Sequence, residues 1–221
     1  MHARTQIRQT CEDVGVEPVA APTRRRTQGE RVAESTRRLA VAAVELFGEQ
    51  GFEKTTAAQI GERAGYSRAM VRRRYGSMET LLEHLLEHEI ADRITPSTDV
   101  EGDGLARILS QVDRLVDFLE DDESAARAFF VLTFEASGPI PALRPWYRDY
   151  FARYEAQMAQ TLRAGQADGS IRTDLDVDIE SKAFVSYSLG LAFRLTLDWD
   201  GYDYPGEAYA WKRSLARRYA A

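Results

Sequence analysis

A chain of 221 residues, 44% of them hydrophobic, is long enough for one or two domains with a buried core. Its net charge is −6 and its mean hydropathy −0.42, and no apolar run approaches the ~20 residues of a membrane span, so a membrane-embedded class is excluded. The single cysteine, Cys11, cannot form an internal disulfide, and residues 1–30 lack the apolar block of a secretory leader; a reducing, cytoplasmic compartment is expected.

Residues 1–26 read as a disordered basic tail. They are polar, lack helical periodicity, and end in Arg24, Arg25 and Arg26. Helical order is expected from Thr27, whose spacing to Glu30 is that of a capping box. Leu39, Ala42, Ala43, Leu46 and Phe47 follow at helical spacing, and Gly51 stops the helix. Thr56 with Gln59 opens a short second helix with Ile60 and Ala64 facing inward. Ser67 is expected to cap a third helix running to about Tyr75. Gly76 ends that helix, and Ser77 caps a fourth, "METLLEHLLEHEIADRI". Short helices joined by tight glycine-centred turns form a helix-turn-helix pattern over residues 27–94.

A polar stretch, "STDVEGDG", marks the boundary to a second helical region at 104–221. Leu105, Ile108, Val112, Leu115, Val116 and Leu119 are amphipathic at period 3.6. "SAARAFFVLTFEAS" is nearly apolar throughout and reads as a buried helix. Pro139 and Pro141 separate it from an aromatic helix at about 142–166. "GQADGSIRTDLD" is a loop, and two more helices are expected at about 176–197 and 205–219. No convincing strand alternation occurs. The fold class is all-α: an N-terminal three-helix helix-turn-helix domain followed by a C-terminal helical bundle.

The charge is uneven. Residues 63–74 hold five arginines and no acid, whereas residues 95–221 carry 14 basic and 21 acidic side chains. A local basic face on an acidic protein points to one anionic partner at one place. Charge runs are usually just solvated helix faces. Here the run lies on the second helix of a helix-turn-helix, which fits the DNA major groove. With Val71 and Tyr75 facing inward, Arg68, Arg72 and Arg73 point outward, Arg74 sits on the flank, and Met70 lies at the rim. Arginine can bond a guanine edge or pair with phosphate, and helix N-termini at Thr56 and Ser77 can offer N–H groups to phosphates.

"GFEKTTAAQIGERAGYSRAMVRRRYGSMETLL" resembles the N-terminal signature of the TetR family of transcriptional regulators. The features that carry the likeness are Gly51-Phe52, Thr55-Thr56, Ile60, Ala64-Gly65, Ser67, Tyr75, Ser77, Glu79 and Leu81. "AGQADGSIRTDLD…LGLAFRLTLD" resembles the last third of such proteins. The resemblance implies DNA contacts at Thr56, Arg68, Met70, Arg72, Arg73 and Arg74. The chain departs from the family pattern at Ala69, Arg72 and Arg74, and Met78 stands where a phosphate-binding lysine is usual. Arg72 and Arg74 would supply that contact instead. The resemblance also implies palindromic double-stranded DNA as partner, a homodimer built through the last two helices, and a small-molecule effector that shifts the fourth helix. No cofactor, metal or catalytic activity is implied.

The aromatic residues of the C-terminal region suggest a lined cavity. Candidate ligand contacts are Phe130, Phe134, Trp146, Tyr147, Tyr150, Tyr154, Phe184 and Tyr187, with Thr133, Glu135 and Ser188 as polar anchors; such stripes are more often plain core. Leu189, Gly190, Leu191 and Leu195 give a small, apolar surface for helix approach across a dimer. Two rival functions are weighed. "HLLEH" places His84, Glu87 and His88 in the spacing of a zinc-dependent hydrolase, but a third ligand would have to be a distant carboxylate. A helical adaptor would use the arginines to bind an acidic protein. The expected function is a sequence-specific DNA-binding regulator, a repressor released by a small molecule.

Overall fold

The computed structural model describes residues 27–90, 93, 101–138 and 140–221. The predicted tail at 1–26, the first half of the predicted boundary, and Pro139 lie outside the described residues. Among the described residues there are nine α-helices: α1 Gln28–Gln50, α2 Ala57–Arg63, α3 Arg68–Tyr75, α4 Met78–Leu85, α5 Gly104–Asp121, α6 Glu123–Glu135, α7 Arg144–Asp168, α8 Val177–Leu197 and α9 Tyr204–Tyr219. No strand occurs among them; one isolated antiparallel bridge pairs Ile171 with Ala220. No helix among the described residues is long and apolar enough to cross a membrane.

Local signals start and stop the first helices. Both expected capping boxes form: Thr27 with Glu30 at α1, and Thr56 with Gln59 at α2. Each satisfies two backbone donors that a helix start leaves without partners. Ser77 accepts from the Thr80 N–H at 3.1 Å and caps α4. Ser67 holds the N-cap position of α3, but its side chain makes no capping bond. The fourth helix is not uniform. α4 passes at Leu86–Ile90 into a π-helical turn, so its later side chains are rotated relative to a continuous α-helix.

Helix α1 is the spine of the N-terminal unit. Leu39, Ala43 and Phe47 are fully buried beneath α2 and α4, with Ile60, Leu81 and Leu85 opposite. Removing such side chains from water contributes roughly 1.5–3 kcal/mol each. α1 also lies along α6, the nearly apolar helix, and the contact is close: a Cβ built on Gly48 would stand 3.2 Å from the Ala128 backbone nitrogen. The N-terminal unit therefore rests directly on the C-terminal helices.

In the C-terminal unit α7 runs to Asp168, a few residues beyond its predicted end, and Gly169 closes it in the left-handed conformation. α9 is tied to α8 by the buried Glu180, which accepts from the Tyr219 hydroxyl at 3.0 Å and pairs with Arg218. It is tied to α5 by Lys212, whose Nζ lies 2.6 Å from Asp113 Oδ1.

Candidate nucleic-acid interface

The crossing of α2 and α3 is set by backbone contact. A Cβ on Gly61 would sit 2.8 Å from the carbonyl carbon of Ser67 and 3.0 Å from Arg68 N. Only glycine lets the two helices approach this closely. The Tyr66 N–H closes the turn onto Gly61 O at 2.7 Å.

Helix α3 is held from below by two side chains one turn apart. Val71 and Tyr75 are buried, and Tyr75 Oη donates to the Thr36 carbonyl of α1 at 3.0 Å. Burial pushes the Tyr75 hydroxyl up to about 12, so it stays a donor at neutral pH. On the opposite face Arg68, Arg72 and Arg73 are exposed. Met70 is half-buried and packs against the core, at the rim as expected.

Two arginines of the basic run serve the fold as well. Arg63 makes a two-pronged pair with Glu49, at 2.8 and 2.9 Å, and reaches Glu45 at 3.2 Å, clamping α2 to α1. Arg74 is half-buried and donates through Nε to Ser35 Oγ at 2.9 Å. It thus differs from its two neighbours. Thr56 is similarly occupied: its hydroxyl donates to Gln59 Oε1 at 2.9 Å, so its first duty is the cap of α2.

An open groove of about 590 Å³ runs between α3 and the starts of α2 and α4. Ala57, Ser67, Arg68, Arg72, Ser77 and Met78 line it. Two guanidinium groups thus face a groove beside the N-terminus of α4, where the helix dipole favours an anion.

Residues 39–85, from the middle of α1 to the end of α4, match the family described as bacterial regulatory proteins, tetR family. Residues 39–85 thus form a TetR-type DNA-binding unit. The protein is a DNA-binding transcriptional regulator of the helix-turn-helix type. Nucleoid occlusion factor SlmA of Pasteurella multocida (strain Pm70) is 27% identical over 151 residues, 66% of this chain and 72% of SlmA. Two solved structures share the fold. TylP, a TetR regulator from Streptomyces fradiae, aligns with a TM-score of 0.69 at 24% identity, covering 87% of this chain and 89% of TylP. A proposed transcriptional regulator from Saccharomonospora viridis, in complex with choline, aligns with a TM-score of 0.71 at 21% identity, covering 86% and 99%.

The His84-x-x-Glu87-His88 motif has a packing role. His84 lies against the Tyr75 ring at 5.5 Å and against His88 at 4.7 Å. It thereby supports the inward anchor of α3. Among the described residues no group of three or more His, Cys, Asp or Glu is gathered to hold a metal ion.

The C-terminal unit contains an aromatic cleft, but only part of the expected lining forms it. Phe130, Tyr150 and Tyr154 of the expected set face it. Leu115, Phe151, Val185, Ser188, Leu189, Ala192 and Tyr204 complete it. Phe134 packs on Phe193, Trp146 stacks on Tyr150, and Phe184 sits between Tyr154 and Trp211. Tyr147 is a core residue that donates to Phe129 O at 3.2 Å, and Tyr187 is on the surface, stacked on Trp211. Of the expected anchors, Ser188 lines the cleft, Thr133 bonds back to Phe129 O, and Glu135 faces the N-terminal unit. Helical spacing told which residues shared a helix face; it did not tell which faces meet. Tyr204, at the start of α9, carried no periodic signal linking it to the cleft.

On α8 the expected dimer residues Leu191 and Leu195 point inward and are buried. The outward row is Ile179, Ala183, Ser186, Gly190, Phe193 and Leu197, at alternating spacings of four and three. Ile179, Phe193 and Leu197 are 61%, 48% and 71% exposed, a large apolar surface to leave in water.

Proposed function

We propose that the protein is a homodimeric repressor that reads a palindromic DNA site and is released by a small-molecule effector. The observation that carries this reading is α3: anchored by Val71 and Tyr75, braced by Arg74, and presenting Arg68, Arg72 and Arg73 outward. The reading unit comprises residues 27–94 and the effector and dimer unit residues 104–221. Arg68 and Arg73 contact base edges or phosphates, and Arg72, facing the groove beside the start of α4, holds a phosphate in place of the lysine absent at Met78. Met70 adds an apolar rim contact, Arg74 a secondary backbone contact, and Thr56 a contact at the start of α2.

The outward row on α8, continued by Tyr209 on α9, supports a dimer interface: its small central residues, Ser186 and Gly190, allow close approach and its apolar ends bury on contact. Two-fold pairing would set two α3 helices about 34 Å apart, one turn of DNA. The cleft on α5–α9 supports the effector site. Its free space of about 40 Å³ is room for a few waters. Pockets that hold drug-sized ligands measure roughly 300–1,000 Å³, so an effector must spread these helices to enter, which is how binding could do work on the reading heads. A cytoplasmic location follows from this role.

Selection from a random duplex library tests the proposal. The expected result is a palindrome bound by a dimer with ~10³-fold preference over random DNA and a steep loss of affinity with salt. Equal affinity for all sequences, or binding as a monomer, would overturn it.

A further inference from the structure

The Glu135 carboxylate at the end of α6 lies in the turn that joins α1 to α2. Its Oε2 accepts the Phe52 N–H at 2.9 Å, across 83 positions of sequence. The turn is closed around it. Gly51 has φ +81, a conformation that disfavours any side chain, and a Cβ there would overlap the carboxylate. The rest of the turn is stiff: Thr55 is buried, and its hydroxyl donates to Gly51 O at 2.6 Å. The next residue, Thr56, caps α2. A displacement of Phe52 therefore passes to the start of the helix-turn-helix within four residues.

We propose that Glu135 is a positioning residue for DNA binding, through which the C-terminal helices hold the reading helices in place. Burial holds the Glu135 carboxyl above its ordinary range, the Phe52 bond pulls it back, and neighbouring Glu53 raises it again while Lys54 lowers it. A glutamine would cover the same turn without a charge to desolvate. The helix that carries Glu135 also carries Phe130 into the aromatic cleft five residues earlier, about 7.5 Å along its axis.

The test compares the intact wild-type protein with Glu135→Ala and Glu135→Gln. Two quantities are read: amide exchange at Phe52, and affinity for the duplex that the wild type selects from a random library. Glu135→Ala is expected to speed exchange at Phe52 and to weaken DNA binding, each about tenfold, the scale of one hydrogen bond. Glu135→Gln, whose Oε1 accepts the same bond, is expected to restore both. The proposal is overturned if Glu135→Ala leaves Phe52 exchange unchanged, if it stays within twofold of wild type in affinity, or if Glu135→Gln falls as far as Glu135→Ala. Should Glu135→Ala fail to fold, Glu135→Asp, one methylene too short to reach Phe52, takes its place under the same criteria. Should no duplex be selected, the DNA-binding reading fails, while Phe52 exchange still decides whether the contact holds the turn.

Discussion

Arg74 Nε donates to Ser35 Oγ at 2.9 Å, so one of three consecutive arginines on the reading helix is bound to the helix beneath it. Ser35 is 3% exposed and its own hydroxyl donates to Val32 O at 2.9 Å, which leaves its oxygen free to accept from Arg74. The run Arg72, Arg73, Arg74 is thus not uniform: two cations face solvent and the third braces α3 on α1.

Alanine substitutions should separate these roles. Arg72→Ala is expected to weaken binding evenly across DNA sequences and to lower the salt slope by about one. Arg68→Ala or Arg73→Ala should cost about 1–3 kcal/mol on the selected site and relax one base position if that residue reads a base. Arg74→Ala should instead lower folding stability by about 0.5–1.5 kcal/mol in urea unfolding. A loss of DNA affinity in Arg74→Ala without loss of stability would make its backbone contact, rather than the brace to Ser35, its main role.

Gly61→Ala forces a methyl group against the Ser67 backbone, where an added Cβ stands 2.8 Å from the carbonyl carbon. Backbone cannot swing aside as a side chain can. The variant is expected to lose about 1–3 kcal/mol of stability, the scale of core overpacking, despite the better helix propensity of alanine. A thermal melt equal to wild type would show that the α2–α3 crossing is looser than this.

Glu135 also sets a pH dependence. Its folded pKa is raised, chiefly by burial, so the folded state binds its proton more tightly than the unfolded chain does. The contribution to stability is full below the unfolded value of 4.5 and is lost as pH rises through the raised folded value. Glu135→Gln removes that slope. The variant should therefore equal or exceed wild type in chemical denaturation at pH 7, with its relative advantage shrinking toward pH 4. A variant less stable at pH 7 than at pH 4, relative to wild type, would show that the charge stabilises the fold instead.

Gly190 is exposed on α8, and a Cβ added to it meets nothing within 4 Å in its own chain. Gly190→Arg should leave the monomer fold intact, and the loss of a mid-helix glycine should stabilise α8 by about 0.5–1 kcal/mol. In the proposed dimer the same change sets two like charges at the centre of the seam. Sedimentation should show a shift from dimer to monomer with an unchanged helical spectrum. A Gly190→Arg dimer as tight as wild type would move the interface elsewhere.

What the sequence determined by itself is local. The Thr27 and Thr56 capping boxes, the stops at Gly51 and Gly76, and the inward pair Val71 and Tyr75 all depend on neighbours within four residues. Such signals survive in the linear text because helices close their hydrogen bonds over that span. The basic run was legible for the same reason, as was the family likeness it belongs to. Which arginine would be drawn back to Ser35, 39 positions away, was not. Nor was it legible that Tyr204 rather than Phe184 would line the cleft, that Leu191 and Leu195 would turn inward, or that Glu135 would leave the expected cavity for Phe52. Each of those outcomes rests on which helix faces meet, and that is decided by the joint packing of the helices: periodicity names a face, but only the assembled core gives it a partner.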